Sequence, residues 1–305
     1  MSVPASLLLQ QGPMLKTLAK IAWRSLFDSQ RPKANPEQWP RIERVLPPPS
    51  DSLIAHYCKW CGASEEQYQQ TIPPHLFTQF ALPSLLPILE QSRYRLHRVI
   101  NRGCTMRVFA DIPRGQALFV TSEVAEVDDD GYRAKLSCRL TIGYQGQAKA
   151  VEVELQLLFL LKRRNKNKQT DSRKSVEALE AVHFKDLGQW SASSNDGWQF
   201  GLLTGDLNPI HWIEAVAKRS PLKGKVLHGF GSFVRSFELI QSATGKSIER
   251  ISASFERPVP LPSEVLLLAL DADVEDVTGS QQLGEHQYQL TDVAGNALVA
   301  GEVSL

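Results

Sequence analysis

The second half of the chain shows one helical hydrophobic pattern followed by four strand patterns. Between Leu227 and Ala243 the apolar residues recur at helical spacing over a broad face, which predicts a well-buried helix. Four runs of strand length follow it. They cover residues 251–259, 265–274, 283–290 and 297–305. The pattern therefore predicts a helix followed by a four-stranded meander.

The first half repeats this order of elements without visible sequence identity. Residues 76–89 predict a helix that Pro83 and Pro87 break or kink. Strand patterns follow near residues 96–109 and at 118–127, 132–142 and 149–161. Corresponding elements are separated by about 150 residues, so the chain reads as two copies of one unit.

Burial of the apolar helix dictates the fold class. A twisted antiparallel sheet with one apolar face can curl around such a helix and bury both partners, which is an α+β arrangement. We expect two such units side by side in one chain. The predicted boundaries are an N-terminal extension at 1–50, a first unit at 51–161, a basic linker at 162–174 and a second unit at 175–305.

Two basic segments have alternative interpretations. Residues 14–27 form a basic amphipathic pattern, with Lys16, Lys20 and Arg24 opposite the apolar positions. This helix either docks on the protein's own surface or lies on a membrane or a partner. The basic run that begins at Lys162 is either a solvated connection or an attractor for an anionic nucleotide tail.

Composition and charge exclude several classes of protein. The chain has 305 residues, 42% of them hydrophobic, and its 34 basic and 33 acidic residues give a net charge of +1. This balance favours a soluble globular protein and speaks against nucleic-acid binding. The short apolar run at residues 7–9 predicts neither a signal peptide nor a membrane span, so we expect a cytoplasmic location.

The four cysteines indicate reduced thiols rather than a disulfide scaffold. Cys58 and Cys61 have the spacing of a redox motif or half a zinc site, but no second pair completes four ligands. We therefore interpret the cysteines as structural and predict no metal site.

Residues 200–211 gather a carboxylate, an amide and an imidazole within twelve positions. Gly205 allows a tight turn before Asp206, and Pro209 suits the first turn of a helix. Asp206 and His211 lie five residues apart across this loop-to-helix junction. Their side chains can therefore face one point and hold a water molecule between an acceptor and a donor.

A second group of residues opens the long helix. The unpaired N–H of Gly229 at a helix N-terminus can hold a developing oxyanion, with His228 as its neighbour. Taken singly, Asp206 could be a helix cap, Asn208 an Asx-turn residue and His228 a core histidine. Their joint order and spacing favour a functional site.

The sequence TGDLNPIH at residues 204–211, followed by LHG at 227–229, resembles the hydratase 2 motif of MaoC-like (R)-specific enoyl-CoA hydratases and dehydratases. This family has the hot-dog fold, a helix wrapped by a sheet. The resemblance implies a double hot dog whose first copy is degenerate and helps to accommodate the acyl chain.

The resemblance also implies a lyase of fatty acid metabolism that adds water reversibly to trans-2-enoyl thioesters and gives (R)-3-hydroxyacyl thioesters. By position, Asp206 and His211 activate the water, Asn208 supports them, and the Gly229 N–H binds the thioester oxygen. Substrate binding is assigned to Thr204, Gly205, Pro209, Ile210, Trp212, His228 and Phe230. No cofactor is implied, because coenzyme A or phosphopantetheine enters as part of the substrate, and we expect a homodimer.

Two departures from the motif leave alternatives open. Trp212 directly follows the histidine and is expected to shape the acyl entrance, and residues 218–225 are unusually basic. That basic stretch is either a solvated loop or a contact for coenzyme A phosphates or an acidic acyl carrier protein. The competing functions are a hot-dog acyl thioesterase and a non-catalytic acyl-CoA-binding protein.

Overall fold

The computed structural model describes residues 3–26, 34–64, 66–162, 184–271 and 284–305. The α-helices are α1 (Gly12–Leu26), α2 (Asp51–Cys61), α3 (Ala81–Leu89), α4 (Asp196–Thr204), α5 (Glu214–Arg219) and α6 (Gly229–Thr244). Short 3-10 helices cover Ala5–Gln11, Pro74–Gln79, Leu96–Arg98 and Pro209–His211.

The strands fall into the same two halves. Those of the first half are β1 (Ile42–Leu46), β2 (Thr71–Ile72), β3 (Val99–Val108), β4 (Ile112–Pro113), β5 (Leu118–Asp129), β6 (Arg133–Tyr144) and β7 (Gln147–Leu160). Those of the second half are β8 (Phe184–Ala192), β9 (Arg250–Phe255), β10 (Ser263–Asp271), β11 (Glu285–Asp292) and β12 (Ala297–Ser304).

Ten of these strands form one antiparallel sheet in the order β1-β5-β6-β7-β3-β9-β12-β11-β10-β8. Strands β3 and β9 meet at its centre, in a register that pairs Met106 with Ile251. Outward from this seam, each half repeats the same order of corresponding strands. The topology therefore confirms the predicted α+β repeat, with β3, β5, β6 and β7 matching β9, β10, β11 and β12.

Three details of the elements differ from the sequence prediction. The edge strands β1 and β8 were not predicted, because half-exposed edges carry no continuous apolar run. The helix predicted at 76–89 is broken at Phe80, whereas Pro87, at which a break or kink was also predicted, lies inside α3. In a continuous helix the ring of Pro83 would clash with the carbonyl of Gln79, where the 3-10 helix ends.

Helix α6 forms the centre of the second half and contacts β8, β9 and α2. Its buried face carries Phe233, Val234, Phe237 and Ile240, each at most 1% exposed. These side chains belong to one apolar core that extends through both halves. The helix wrapped by a sheet is therefore present, and its burial is shared with the first half.

A buried polar cluster joins the two halves beside α6. Nε2 of His75, from the first half, lies 2.6 Å from Oε1 of Glu238 on α6. The hydroxyl of Tyr68 donates to the same oxygen at 2.9 Å, and that of Tyr57 lies 3.0 Å from Nδ1 of His75. This hydrogen-bonded pair, surrounded by apolar residues, links the core of one half to the helix of the other.

The cysteine pair belongs to the same part of the core. Cys58 and Cys61 are buried free thiols in α2, and the Cys61 thiol donates to the Cys58 carbonyl. Burial is the main cause that raises the pKa of Cys58 to about 12. Both therefore remain protonated near neutral pH, in keeping with structural thiols.

The two basic segments have different outcomes. Helix α1 covers most of residues 14–27 and lies against α3, with Met14 buried and Trp23 64% exposed. The predicted linker at 162–174 lies outside the described residues except for Lys162, and the predicted domain boundaries stay predictions. Among the described residues, no helix has the length and apolar character needed to cross a membrane.

Candidate active site

The loop that carries Asp206 is built by the end of α4. Gly205 ends the helix in the left-handed conformation, at φ +79°, and its N–H donates to the carbonyl of Gly201 at 2.7 Å. The hydroxyl of Thr204 accepts from the N–H of Asp206 at 3.4 Å. The tight turn predicted at Gly205 therefore directs the chain out of α4 at Asp206.

The next turn positions His211. Asn208 caps the 3-10 helix Pro209–His211, because its Oδ1 accepts from the N–H of Ile210 at 3.4 Å. Nδ1 of His211 lies 2.8 Å from the carbonyl of Val226, and a carbonyl can only accept, so Nδ1 carries the proton. In the neutral ring, Nε2 therefore keeps its lone pair.

His228 connects these residues to the start of α6. Its ring stacks on that of His211, with centroids 3.5 Å apart, and its Nε2 donates to the backbone carbonyl of Asp206 at 3.0 Å. Nδ1 of His228 is buried and has no partner among the described residues. His228 is therefore a neutral donor to the loop whose second nitrogen is an unused acceptor.

The structure brings Asp206, His211 and His228 together. One ligand atom from each lies within 4.8 Å of those of the other two. The Asp206 side chain is 36% exposed, while His211 is 9% exposed. A carboxylate and an imidazole that meet beside solvent can hold and activate a water molecule.

Burial sets the charge of both histidines. It lowers the pKa of His211, and the Asp206 carboxylate and the Val226 carbonyl oppose this shift only in part. It also lowers the pKa of His228 far below the usual histidine value, with His211 as a second cause. At neutral pH both rings are therefore neutral, and His211 can accept a proton.

Gly229 opens α6 directly after His228, so the first N–H of this helix lies one residue from the stacked rings. A Cβ at Gly229 would come within 2.8 Å of the Phe255 ring. A side chain at position 229 would therefore have to displace this ring, and the Gly229 N–H lies among the first N–H groups of the helix, which have no partner within it.

The other predicted residues line the loop or flank it. Trp212 donates from Nε1 to the carbonyl of Leu207 at 3.1 Å and packs on Trp198, so it braces the loop. Phe230 is half-buried, with ring centroids 5.5 Å from Phe77 and 6.0 Å from Phe255. Pro209 and Ile210 lie in the 3-10 turn, and the side chain of Asn208 is exposed.

Two groups of three potential metal ligands occur in the described residues, whereas the sequence spacing indicated no metal site. One is Asp206, His211 and His228, and the other is the buried set of Cys61, His75 and Glu238. In the second group, the short contact from His75 to Glu238 already has the geometry of a hydrogen bond. Its ligand atoms are therefore satisfied in part without an ion.

Several residues that shape this site were not found from the sequence. A Cβ at Gly197 would come within 2.0 Å of the His211 carbonyl oxygen, so glycine lets α4 approach the histidine. Phe77 belongs to the first half, and Gln11 and Met14 to the N-terminal segment. No local signal identifies such residues, because contacts over long sequence separations are set by the tertiary fold.

Comparison with known proteins finds a family model that spans the motif. Residues 167–294 match the family model of the MaoC like domain. HtdX of Mycobacterium tuberculosis has a similar structure, with a TM-score of 0.67, 15% identity, and coverage of 87% of this chain and 100% of that one. No curated protein matches the sequence.

Two further solved structures are similar. A MaoC-like dehydratase of Phytophthora capsici has a TM-score of 0.64 and 15% identity, covering 88% of this chain and 95% of that one. A Mycobacterium tuberculosis protein described as having a double hotdog fold has a TM-score of 0.59 and 12% identity, covering 88% and 96%. The chain thus has the double hot-dog fold, and residues 167–294 in its second half match the model of the MaoC like domain.

Proposed function

We propose that the protein adds water reversibly to trans-2-enoyl thioesters and gives (R)-3-hydroxyacyl thioesters. The observation that carries the proposal is the convergence of Asp206, His211 and His228 within 4.8 Å, beside the N-terminus of α6. The MaoC-like domain supports a hydratase or dehydratase in general terms. The substrate and the roles of the residues are our proposal.

Activation of water follows from the protonation states. The Asp206 carboxylate accepts one O–H of the water, and the free Nε2 of neutral His211 accepts the other. As Nε2 takes the proton, the water oxygen bonds to C3 of the enoyl group. The C2–C3 π electrons then move toward the thioester carbonyl.

We assign the N–H of Gly229 as the hydrogen-bond donor to the thioester oxygen, on which this step creates negative charge. Addition at C3 gives an enolate-like thioester, whose oxygen needs a hydrogen-bond donor. Removal of one such preorganised donor typically costs about 3 kcal/mol. The imidazolium of His211 then returns the proton to C2 on the same face, which completes a syn addition and restores both groups.

The basic segment 218–225 supports a phosphate-bearing substrate. Lys218, Arg219 and Lys223 are exposed, and Val226, which follows the segment, binds the ring of His211. Positive charge therefore lies close in sequence to the reacting groups. Coenzyme A, or the phosphopantetheine of an acyl carrier protein, presents phosphates that such a segment attracts.

The test is an assay of crotonyl-CoA and longer enoyl-CoA hydration with chiral analysis of the product. Asp206→Asn and His211→Gln are each expected to lower kcat by about 100-fold or more, while far-UV circular dichroism remains unchanged. Wild-type turnover in either variant would remove that residue from the proposed mechanism. Formation of the (S) product would contradict the proposed face of addition.

A thiol-trapping assay on saturated and enoyl thioesters serves as the control. The hydratase releases no thiol, whereas an acyl thioesterase does. Binding without a loss of enoyl absorbance would instead indicate a non-catalytic acyl-CoA-binding protein.

A further inference from the structure

A buried hydrogen bond ties the N-terminal segment to the helix that precedes Asp206. Gln11 is 1% exposed, and its Nε2 donates to the carbonyl of Leu203 at 2.8 Å, across 192 residues of sequence. Leu203 lies in the last turn of α4 and is fully buried. The contact therefore joins the N-terminal extension to the base of the catalytic loop.

The geometry of the helix end explains why this donor matters. The last carbonyls of a helix lack partners within it. The N–H of Leu207, which would reach Leu203 in a continued helix, instead donates to the carbonyl of Gly205. The side chain of Gln11 supplies the donor at Leu203, whose buried carbonyl would otherwise be destabilising.

Gly205 meets the same segment by direct packing. A Cβ at this position would lie 2.7 Å from Cβ of Met14 and 2.9 Å from Cβ of Gln11. Met14 is itself buried, at 3% exposed. The N-terminal segment thus closes one side of the turn immediately before Asp206.

The segment is in turn held by the first half of the molecule. Nε2 of Gln79 donates to Oε1 of Gln11 at 3.0 Å, so both polar ends of the Gln11 amide are used. Val3 and Leu7 belong to the shared apolar core. The chain of contacts runs from the first half through Gln11 to Leu203 and the turn at Gly205.

We propose that Gln11 is a positioning residue for the reaction and that Gln11 and Met14 together hold the Asp206 loop in its reactive geometry. This inference rests on the proposed function. Gln11 does not touch the reacting groups and acts through Leu203 and Gly205. A misplacement of the Asp206 carboxylate by about 1 Å is expected to slow the chemical step by about 100-fold.

The test compares Gln11→Met with the matched control Gln10→Met in the full chain. Methionine keeps the length of the side chain but removes the donor to Leu203. Gln10 is exposed, and its Oε1 accepts from the hydroxyl of Ser50, away from the loop. The readouts are kcat and KM for crotonyl-CoA, and hydrogen exchange of the amides of residues 203–211 compared with those of β5 to β7.

For Gln11→Met we expect kcat to fall 10-fold to 100-fold with KM within about twofold of wild type. Exchange at 203–211 should accelerate at least tenfold while β5 to β7 keep their protection. Gln10→Met should match wild type in both readouts. Met14→Ala, which opens space beside Gly205, should move both in the same direction.

Wild-type kcat and loop exchange in Gln11→Met would overturn the proposal. Faster exchange throughout the chain would also overturn it, because that outcome describes general destabilisation. If wild-type protein hydrates no enoyl thioester, the proposed function fails by itself. The local exchange measurement then still decides whether Gln11 holds the loop.

Discussion

His228 stacks on His211, with ring centroids 3.5 Å apart, and at the same time donates from Nε2 to the backbone carbonyl of Asp206. One side chain therefore contacts both members of the proposed dyad. His228 also directly precedes Gly229, the first residue of α6. It therefore contacts the Asp206 loop and His211 and adjoins the N-terminus of α6.

We predict that the hydrogen bond from Nε2 of His228 to Asp206 contributes more to activity than the stacking of its ring on His211. His228→Phe keeps an aromatic ring but removes the N–H to Asp206, and kcat for enoyl thioester hydration should fall by about 10-fold to 100-fold. His228→Gln retains an amide donor and should keep more activity than the Phe variant. Equal kcat in His228→Phe and wild type would refute the role of this hydrogen bond.

The pH dependence of hydration should reflect the lowered pKa of His211, which acts as the base in its neutral form. Burial lowers the pKa of His211 below the ordinary value of 6.5, so the neutral base persists at lower pH than for a free histidine. We expect kcat/KM to be flat around neutral pH and to fall as the pH drops through a value below 6.5. An acidic limb centred above 6.5 would contradict the assignment of His211 as the base.

Substitution of Gly229 is expected to destabilise the protein because a side chain there would collide with the Phe255 ring. In Gly229→Ala the new Cβ meets the Phe255 ring, and such overpacking costs about 1–3 kcal/mol of unfolding free energy. In the Phe255→Ala background, where the ring is absent, Gly229→Ala should cost less unfolding free energy than in the wild-type background. Urea denaturation measures both, and a Gly229→Ala variant as stable as wild type would show that the ring moves aside freely.

The buried pair of His75 and Glu238 is expected to support the contact between the two halves. His75→Phe leaves the buried Glu238 carboxyl without this hydrogen-bond partner and should lower the unfolding free energy by about 1–3 kcal/mol. His75→Phe/Glu238→Leu should recover much of that loss. The exposed pair of Arg41 and Glu43 gives the control, because Arg41→Gln should change stability by less than about 1 kcal/mol.

Chemical denaturation followed by circular dichroism measures these differences. A loss below 1 kcal/mol in His75→Phe would indicate that Glu238 finds other partners or takes up a proton at little cost.

The basic segment should recognise phosphate rather than the acyl group. Lys218→Ala/Arg219→Ala/Lys223→Ala is expected to raise KM for crotonyl-CoA severalfold. KM for crotonyl-N-acetylcysteamine, a truncated thioester without phosphates, should stay unchanged. Added salt should weaken the wild-type preference for the CoA substrate. An equal change of KM for both substrates would assign the segment to folding or to the acyl pocket instead.

Local patterns in the sequence determined the repeating unit. The helix at 227–243 appears as α6, and its four predicted strands appear as β9 to β12, because alternation of apolar residues reflects which face is buried. The strand predicted at 251–259 ends earlier, at Phe255, with Pro258 and Pro260 following. Proline cannot donate a ladder hydrogen bond, so the boundary follows from local chemistry.

The motif at 204–211 was visible for the same reason. Gly205, Asp206 and Asn208 form turns and caps through hydrogen bonds to neighbouring residues, so their spacing alone indicates the path of the loop. The contacts of His211 with Val226 and of Asp206 with His228 are set by the tertiary structure.

What the sequence by itself determined is therefore periodic and local: the helices, the strands, their duplication and the motif at residues 204–211. The tertiary structure decided the partners of these elements, such as Gln11 at Leu203, Phe255 at Gly229 and Glu238 at His75. Each of these contacts joins residues from distant parts of the chain. Packing in the folded state selects them, because no hydrogen bond or hydrophobic period between neighbouring residues encodes them.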